Sequence, residues 1–521
     1  MREQACTNCT KKGGFVLKIY ERIEQLLAFG KAKQLLGEGD IEYARNRLLE
    51  LLELDEGMPS EATFSEEWTV VALLKPIVDW SVEKGLIPED TILYRDLWDT
   101  KLMGCLTPWP STVTHHFYEQ AKVNGPEAAT ASFYELAQNT NYIRMDRVAL
   151  NESWISTQAY GELEVTINLS KPELDPKDIA KGRNVTASSY PNGLLHKENV
   201  GYAGRLNHPA RQNLRQIPLE LGGAKWLMQF SPYVYYHQHA IVLSGEKQPM
   251  RITRQTFGRL LEFVEKFPHY FIGSNADLPI VGGSILSHDH YQAGEYEFPM
   301  ARAEQLSTFA LPYYSEIEAS LLKWPLSVIR LRADDRNRLE EAATFILDQW
   351  RRYTDLEADI YSSTEDQPHN TITPIARRRG KQFELDLVLR NNRTTDEHPF
   401  GLFHPHEEVH PIKKENIGLI EVMGLAILPG RLKSELLQLA DAVSENQSAQ
   451  TIAENQAIQK HAEWVQALTA TNSSVTSDEA LVQLKEEVGN IFSTALSHCG
   501  VFKQTNAGIK AFNRFIASLN E

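Results

Sequence analysis

Between Gly161 and Ser170 the chain alternates strictly: Leu163, Val165, Ile167 and Leu169 are interleaved with Glu164, Thr166, Asn168 and Ser170. A period of two fits a strand with one buried and one solvated face, whereas a helix would scatter those four apolar residues around its circumference. On either side of this segment the period changes. After Asp40, whose carboxylate suits a helix N-cap, Ile41, Ala44, Leu48 and Leu51 recur at steps of three and four. After Gly125-Pro126, where proline suits a first helical position, Ala129, Phe133 and Leu136 do the same. The chain to about Thr140 is therefore predicted to be helical. Further strands are predicted over Tyr233–Leu243 and Phe383–Arg390, and helices over Phe257–Phe267 and Arg338–Tyr353. From Asn416 onward the pattern returns to helix, with Pro429-Gly430 as an interruption and Thr471–Ser477 as a polar surface loop. The fold class is α+β, with a sheet-rich centre between helical ends.

A chain of 521 residues exceeds what one hydrophobic core supports, so two or more modules are expected, and 42% apolar residues supply their interiors. A net charge of −16 argues against a nucleic-acid partner and against an anionic membrane surface. No apolar run reaches the roughly 20 residues that cross a bilayer, and no apolar secretion segment opens the chain, so a cytoplasmic protein is expected. Cys6, Cys9, Cys105 and Cys499 are too few and scattered for a disulfide framework. The pair Cys6/Cys9 has no second Cys-x-x-Cys to complete a metal cluster and is assigned to a leader.

The most informative run is Val281-Gly282-Gly283-Ser284-Ile285-Leu286-Ser287-His288-Asp289-His290-Tyr291-Gln292. Glycine lets backbone come close to a phosphate. If the segment is extended, His288, His290 and Gln292 share one face. A neutral imidazole can attack an α-phosphorus and split one displacement into two easier ones. An amide at the third position only donates and accepts hydrogen bonds, which favours transfer over hydrolysis.

This pattern, His-x-His-x-Gln after a glycine- and serine-containing lead, resembles the active-site motif of the galactose-1-phosphate uridylyltransferase branch of the histidine-triad superfamily. The wider likeness is to the second, bacterial class of UDP-glucose:hexose-1-phosphate uridylyltransferases. It rests on Phe267-Pro268-His269-Tyr270-Phe271-Ile272-Gly273-Ser274-Asn275-Ala276-Asp277-Leu278-Pro279-Ile280 and on Ile412-Lys413-Lys414-Glu415-Asn416-Ile417-Gly418-Leu419-Ile420-Glu421-Val422-Met423-Gly424. The resemblance implies a histidine-triad-like core of two related halves forming one composite, mainly antiparallel sheet, with helical extensions at both ends. The expected division is 1–18 leader, 19–155 helical region, 156–330 first half with the nucleophile, 331–430 second half, and 431–521 helical region. It also implies His290 as nucleophile, Gln292 as the group that holds the phosphoryl oxygens, and His288 as supporting histidine. UDP-glucose and a hexose 1-phosphate are the implied partners, in a homodimer. Two departures stand out: Asp289 replaces the proline of the better-known class, and that class's Cys-x-x-Cys metal ligands have no counterpart, so zinc is not carried over.

Other candidates are weaker. His398, His404, His406 and His410 crowd one segment with Glu407 and Glu408 and could bind zinc or iron, but interleaved prolines also suit a loop whose histidines bond backbone. Arg377, first of three successive arginines, could reach a diphosphate. Asn275, Gly282, Gly283 and Ser284 are the other substrate-binding candidates, with turn formation as the alternative for Asn275 and backbone bonding for Ser284. Trp226, Tyr233, Tyr235 and Tyr236 are assigned to core, and His237, His239 and His269 to structural roles. The rival functions are a histidine-triad nucleotide hydrolase or phosphorylase, and a metal-dependent sugar-binding protein built on His398–His410.

Overall fold

The computed structural model describes residues 6–55, 62–170, 189–283, 285–465 and 475–520, with backbone alone for 6–17. It divides into two compact units, the first Met1–Ala149, Pro172–Leu219 and Trp226–Val234, the second Leu150–Lys171, Glu220–Lys225 and Tyr235–Glu521.

The first unit is mainly helical, as its three- and four-residue steps predict. Helices run Cys6–Ala32, Ile41–Leu51, Val70–Glu83, Ile92–Gly104, Pro110–Asn124 and Pro126–Asn139. Ala44 and Leu48 are buried against Ile23, Leu26 and Leu27 in one apolar cluster. Asp40 does not cap the helix it precedes: it ends a short 3-10 turn, and its carboxylate faces back to accept the Gly37 N–H at 3.0 Å. The boundary expected at residue 18 falls inside the first helix.

The second unit opens with β1 (Glu152–Gln158) and β2 (Gly161–Asn168), an antiparallel pair in which Leu163, Val165 and Ile167 are fully buried. The alternation predicts β2 but not β1, whose inward positions include the polar Glu152, Ser156 and Gln158 while the apolar Ile155 is exposed. A sequence of six elements then occurs twice. First in the chain come strands β3 (Ile217–Leu221) and β4 (Ala224–Phe230), most of whose residues belong to the first unit, then β5 (Ala240–Ser244), helix Arg254–Lys266, and strands β6 (Phe271–Gly273) and β7 (His290–Gly294). The second set is β8 (Gln305–Phe309), β9 (Glu318–Leu322) and β10 (Val328–Ala333), followed by helix Arg336–Arg352. A small hairpin of β11 (Ser363–Thr364) and β12 (Gln367–Pro368) leads into the last two strands, β13 (Asn370–Arg379) and β14 (Gln382–Asn391). Within the second unit the order is β5-β7-β6-β13-β14-β10-β9-β8, every neighbouring pair antiparallel. In each set the third strand pairs with the last, and the sets meet along β6 and β13. Two related halves thus share one sheet. The boundaries expected at 155/156 and 330/331 fall inside β1 and β10.

The strand predicted over Tyr233–Leu243 shortens to β5. Gln238 takes a left-handed φ of +52°, which a continuous strand excludes, so residues before Ala240 form a folded loop. After β15 (Leu425–Pro429), which pairs parallel with β2, the chain ends in helices that include Arg431–Ser444, Ser477–Cys499 and Asn506–Ser518. Among the described residues no helix is long and apolar enough to cross a membrane.

Candidate active site

The backbone around Asp289 is extended, its N–H bonding Gln248 O at 2.7 Å and its carbonyl accepting Ser244 N–H at 2.9 Å. Alternation along the strand places His290 and Gln292 on one face of the sheet and Asp289 and Tyr291 on the other, with His288 at a bend just before it. Asp289 lies 3.7 Å from Arg259 of helix Arg254–Lys266, and Tyr291 interacts with Thr256 and Arg259 of the same helix. Asp289 is thus a rear anchor of the motif strand. Burial pushes its carboxyl up to about 6, with Arg259 opposing and Asp277 adding to the rise.

On the front face, His290 Nδ1 donates to the carbonyl of His288 at 2.8 Å. A carbonyl can only accept, so the ring carries its proton on Nδ1 and keeps the lone pair on Nε2. Burial depresses the pKa of His290; the bond to the His288 carbonyl opposes this and the His288 imidazole adds to it, and burial prevails, so the ring is neutral at neutral pH. His288 Nε2 donates to Ser244 O at 2.9 Å, holding the start of the motif to the end of β5. Gln292 sits opposite Ile241 on one side and Gly273 on the other. Its Oε1 accepts from His239 Nε2 at 3.2 Å. Assigned from sequence to a structural role, His239 therefore joins the site. Only the register of β5 against β7 reveals it, because 53 residues separate it from Gln292.

The glycine lead is explained by crowding rather than by unusual backbone angles. A methyl group at Gly282 would lie 2.5 Å from Ala276 O and 2.7 Å from Leu278 O, and one at Gly283 would lie 2.6 Å from Asn275 Nδ2. Asn275 is fixed in turn, its Oδ1 accepting the Leu419 N–H at 2.9 Å. Asn416 Nδ2 reaches Gly282 O at 3.5 Å. The two long sequence blocks that carry the resemblance thus pack against each other here. Ser284 lies outside the described residues. Because the obstructing atoms at Gly282 are backbone, Gly282→Ala is expected to cost about 1–3 kcal/mol. Urea denaturation checks this; an unchanged midpoint would show that the lead can shift freely.

Arg377 does not join His290. Gln292 pairs with Gly273 and Gly273 with Ile375, so Arg377 lies past the Gln292 row, on the side away from His290. Four residues separate its row from that of His290, about 14 Å along the strands. Its guanidinium is also engaged, by Glu384 and by Asp386 at 2.8 Å. Asp386 is also gripped by Arg330 at 2.7 and 2.9 Å, and Arg332 and Arg379 pair with Glu384. Arg377 thus serves a buried ion cluster, which corrects the expectation of a diphosphate contact. Register places this cluster in the second half where His290 and Gln292 stand in the first: Asp386 on β14 lies between Ile375 and Arg330, as Gln292 on β7 lies between Gly273 and Ile241.

The four histidines of the second half do not converge as a ligand set. His404 Nδ1 and His410 Nε2 both donate to Pro405 O at 3.0 Å, and His398 stacks on His406 with centroids 4.0 Å apart. His406 instead meets Glu408 and His498, with one ligand-type atom from each within 4.8 Å of the others, a spacing that could hold a metal ion. His498, from helix Ser477–Cys499, has no motif to announce it.

A buried neutral imidazole with its lone pair on Nε2, next to an oriented amide, can accept and hand on a phosphoryl group. The family described as galactose-1-phosphate uridyl transferase matches in both parts, its N-terminal domain at residues 34–249 and its C-terminal domain at 262–466. Relatives named galactose-1-phosphate uridylyltransferase include one from Halalkalibacterium halodurans, 56% identical over 96% of this chain and 98% of its own. The Bacillus subtilis relative is 51% identical over 96% and 98%, and that of Caldanaerobacter subterraneus 50% over 95% and 96%. With both domains matched and identity of half or more along nearly the whole length, the chain belongs to the galactose-1-phosphate uridyl transferase family.

Proposed function

We propose that the protein is a nucleotidyltransferase that exchanges UMP between UDP-glucose and galactose 1-phosphate, the uridylyl transfer of galactose metabolism (Leloir pathway), through a uridylyl-histidine. The observation that carries the mechanism is the bond from His290 Nδ1 to the His288 carbonyl, which leaves Nε2 as the nucleophile. The relatives' name supports the substrates. In the first step the Nε2 lone pair attacks the α-phosphorus. The bond to the bridging oxygen breaks, and glucose 1-phosphate leaves with that electron pair. The His288 carbonyl stabilises the positive charge that develops on the ring. Galactose 1-phosphate then attacks the same phosphorus, the P–N bond breaks, and Nε2 recovers its lone pair. Gln292, which has no transferable proton, holds the phosphoryl oxygens without activating water. The hydrolase and phosphorylase rivals are less well served by such a group.

His498 Nδ1 accepts the His406 N–H at 3.2 Å, so the ring proton is on Nε2, facing Glu408 at 3.3 Å. In that state both ring nitrogens are engaged, so a cation would bind His498 only by displacing the Nε2 proton. For setting and assembly the reading is a cytoplasmic homodimer, supported by family likeness.

The test is to incubate the protein with UDP-glucose labelled in the uracil ring, denature it, and map acid-labile label. Label on His290 supports the reading; a wild-type protein that never takes label overturns it. The depressed pKa adds a second expectation. The nucleophile must be neutral, so activity is lost as pH falls through its folded pKa. The acid limb of kcat/KM should therefore fall below pH 6.5, the ordinary imidazole value. A limb at or above that value would contradict the buried environment described here.

A further inference from the structure

Beyond the motif itself, the loop before β5 is built with unusual care. The Tyr236 hydroxyl donates to Ala293 O at 3.2 Å, tying the loop to β7. Gln238, in its left-handed conformation, accepts from the Tyr270 hydroxyl and donates to Glu295 at 2.8 Å. The loop also fills the space beside Gly294, where a methyl group would lie 2.6 Å from the Tyr236 ring and 3.0 Å from Gln238 O. These contacts deliver one side chain, His239, buried to 4% exposure and flanked by the rings of Tyr235 and Tyr236 at 5.2 and 4.5 Å. Its Nε2 meets Gln292 Oε1.

We propose that His239 is a positioning residue, which fixes the rotation of the Gln292 amide so that its NH2 group is presented to the uridylyl phosphorus and its oxygen is not. An amide has a donor end and an acceptor end of nearly equal shape, and rotation by half a turn would aim a carbonyl oxygen at an anionic phosphoryl group. The His239 N–H distinguishes the two ends, because it can pair only with the oxygen. The surrounding clamp keeps the imidazole from following Gln292 if the amide turns. This rests on His290 being the uridylylated residue. A well-held intermediate passes to a sugar phosphate. A poorly held one is open to water: the water oxygen attacks phosphorus, the P–N pair returns to Nε2, a proton goes to solvent, and UMP is released.

The experiment compares His239→Leu and His239→Gln with wild type in the full chain, using UDP-glucose with and without galactose 1-phosphate. The readouts are kcat, KM, uracil label on His290, and UMP released per transfer. For His239→Leu, kcat is expected to fall about tenfold, the size of one neutral hydrogen bond, with little change in KM and a larger share of UMP lost to water. Glutamine, which can donate from a similar position, should restore both. A merely structural role would lower folded protein and kcat together without moving the UMP share. If His239→Leu does not fold, Tyr270→Phe loosens the clamp without touching either partner and should raise the UMP share. A wild-type UMP share in the soluble variants, or no advantage of glutamine over leucine, overturns the proposal. A wild-type enzyme that never takes label overturns the covalent reading instead, so the two failures are distinct.

Discussion

His290→Ala is expected to lose all covalent uridylyl label and about five orders of magnitude in kcat, the scale on which removal of an enzyme's covalent nucleophile is felt. The substitution leaves the fold with little to repair. Among the described residues the ring's hydrogen bond is with the backbone of its own motif, and β7 stays paired with β5 and β6. Stability should therefore change far less than rate, and UDP-glucose should still bind. Equilibrium binding and chase of labelled uridine nucleotide measure these separately. Activity within a hundredfold of wild type would mean that another group takes the phosphoryl, and initial-rate plots that intersect, rather than run parallel, would say the same.

A different kind of loss is expected from Asp386→Ala. Asp386 is fully buried with Arg330 and Arg377 both bonded to it. Removing it leaves two guanidinium groups in the interior competing for Glu384, and breaking a buried ionic group in this way costs about 3–5 kcal/mol. Urea denaturation measures it, and a loss under about 1 kcal/mol would show that water reaches the cluster. The pH dependence has a definite sign. Burial alone would raise the carboxyl, but Arg330 and then Arg377 outweigh it and hold Asp386 down to about 2. A depressed acid stabilises the fold above its unfolded value, near pH 4. That contribution drains away between about pH 4 and 2 in wild type and is missing in the variant at every pH.

How much of this is legible without coordinates depends on range. Strand β2 and the helices after Asp40 and Gly125 follow from local periodicity, and so does the common face of His290 and Gln292, whereas His288 lies at a bend before the strand. The resemblance of the long blocks supplied the two related halves and the nucleophile's role. Asp289 could not be read from sequence: its meaning lies in Arg259, on a helix behind the sheet. The glycines were read as places where backbone comes close to a phosphate; the approaching atoms described are those of Asn275, Ala276 and Leu278. Arg377, read from its neighbours as a phosphate ligand, faces carboxylates on β14, seven and nine positions away, which hairpin pairing brings to it. His239 and His498 act across 53 and 92 residues, where no local pattern reaches.

The repetition of six elements also sets a stoichiometry. Each half ends in a strand flanked by its third and fourth strands, the small hairpin left aside, so the chain holds two equivalent seats, one of them that of the proposed nucleophile. One seat, on β7, holds His290 and Gln292. The other, on β14, holds Glu384 and Asp386, both fully buried and tied to arginines. Carboxylates so neutralised and so enclosed are unavailable as acceptors of a nucleotidyl group. However the chains assemble, a saturated preparation should therefore carry one uridylyl group per polypeptide, not two.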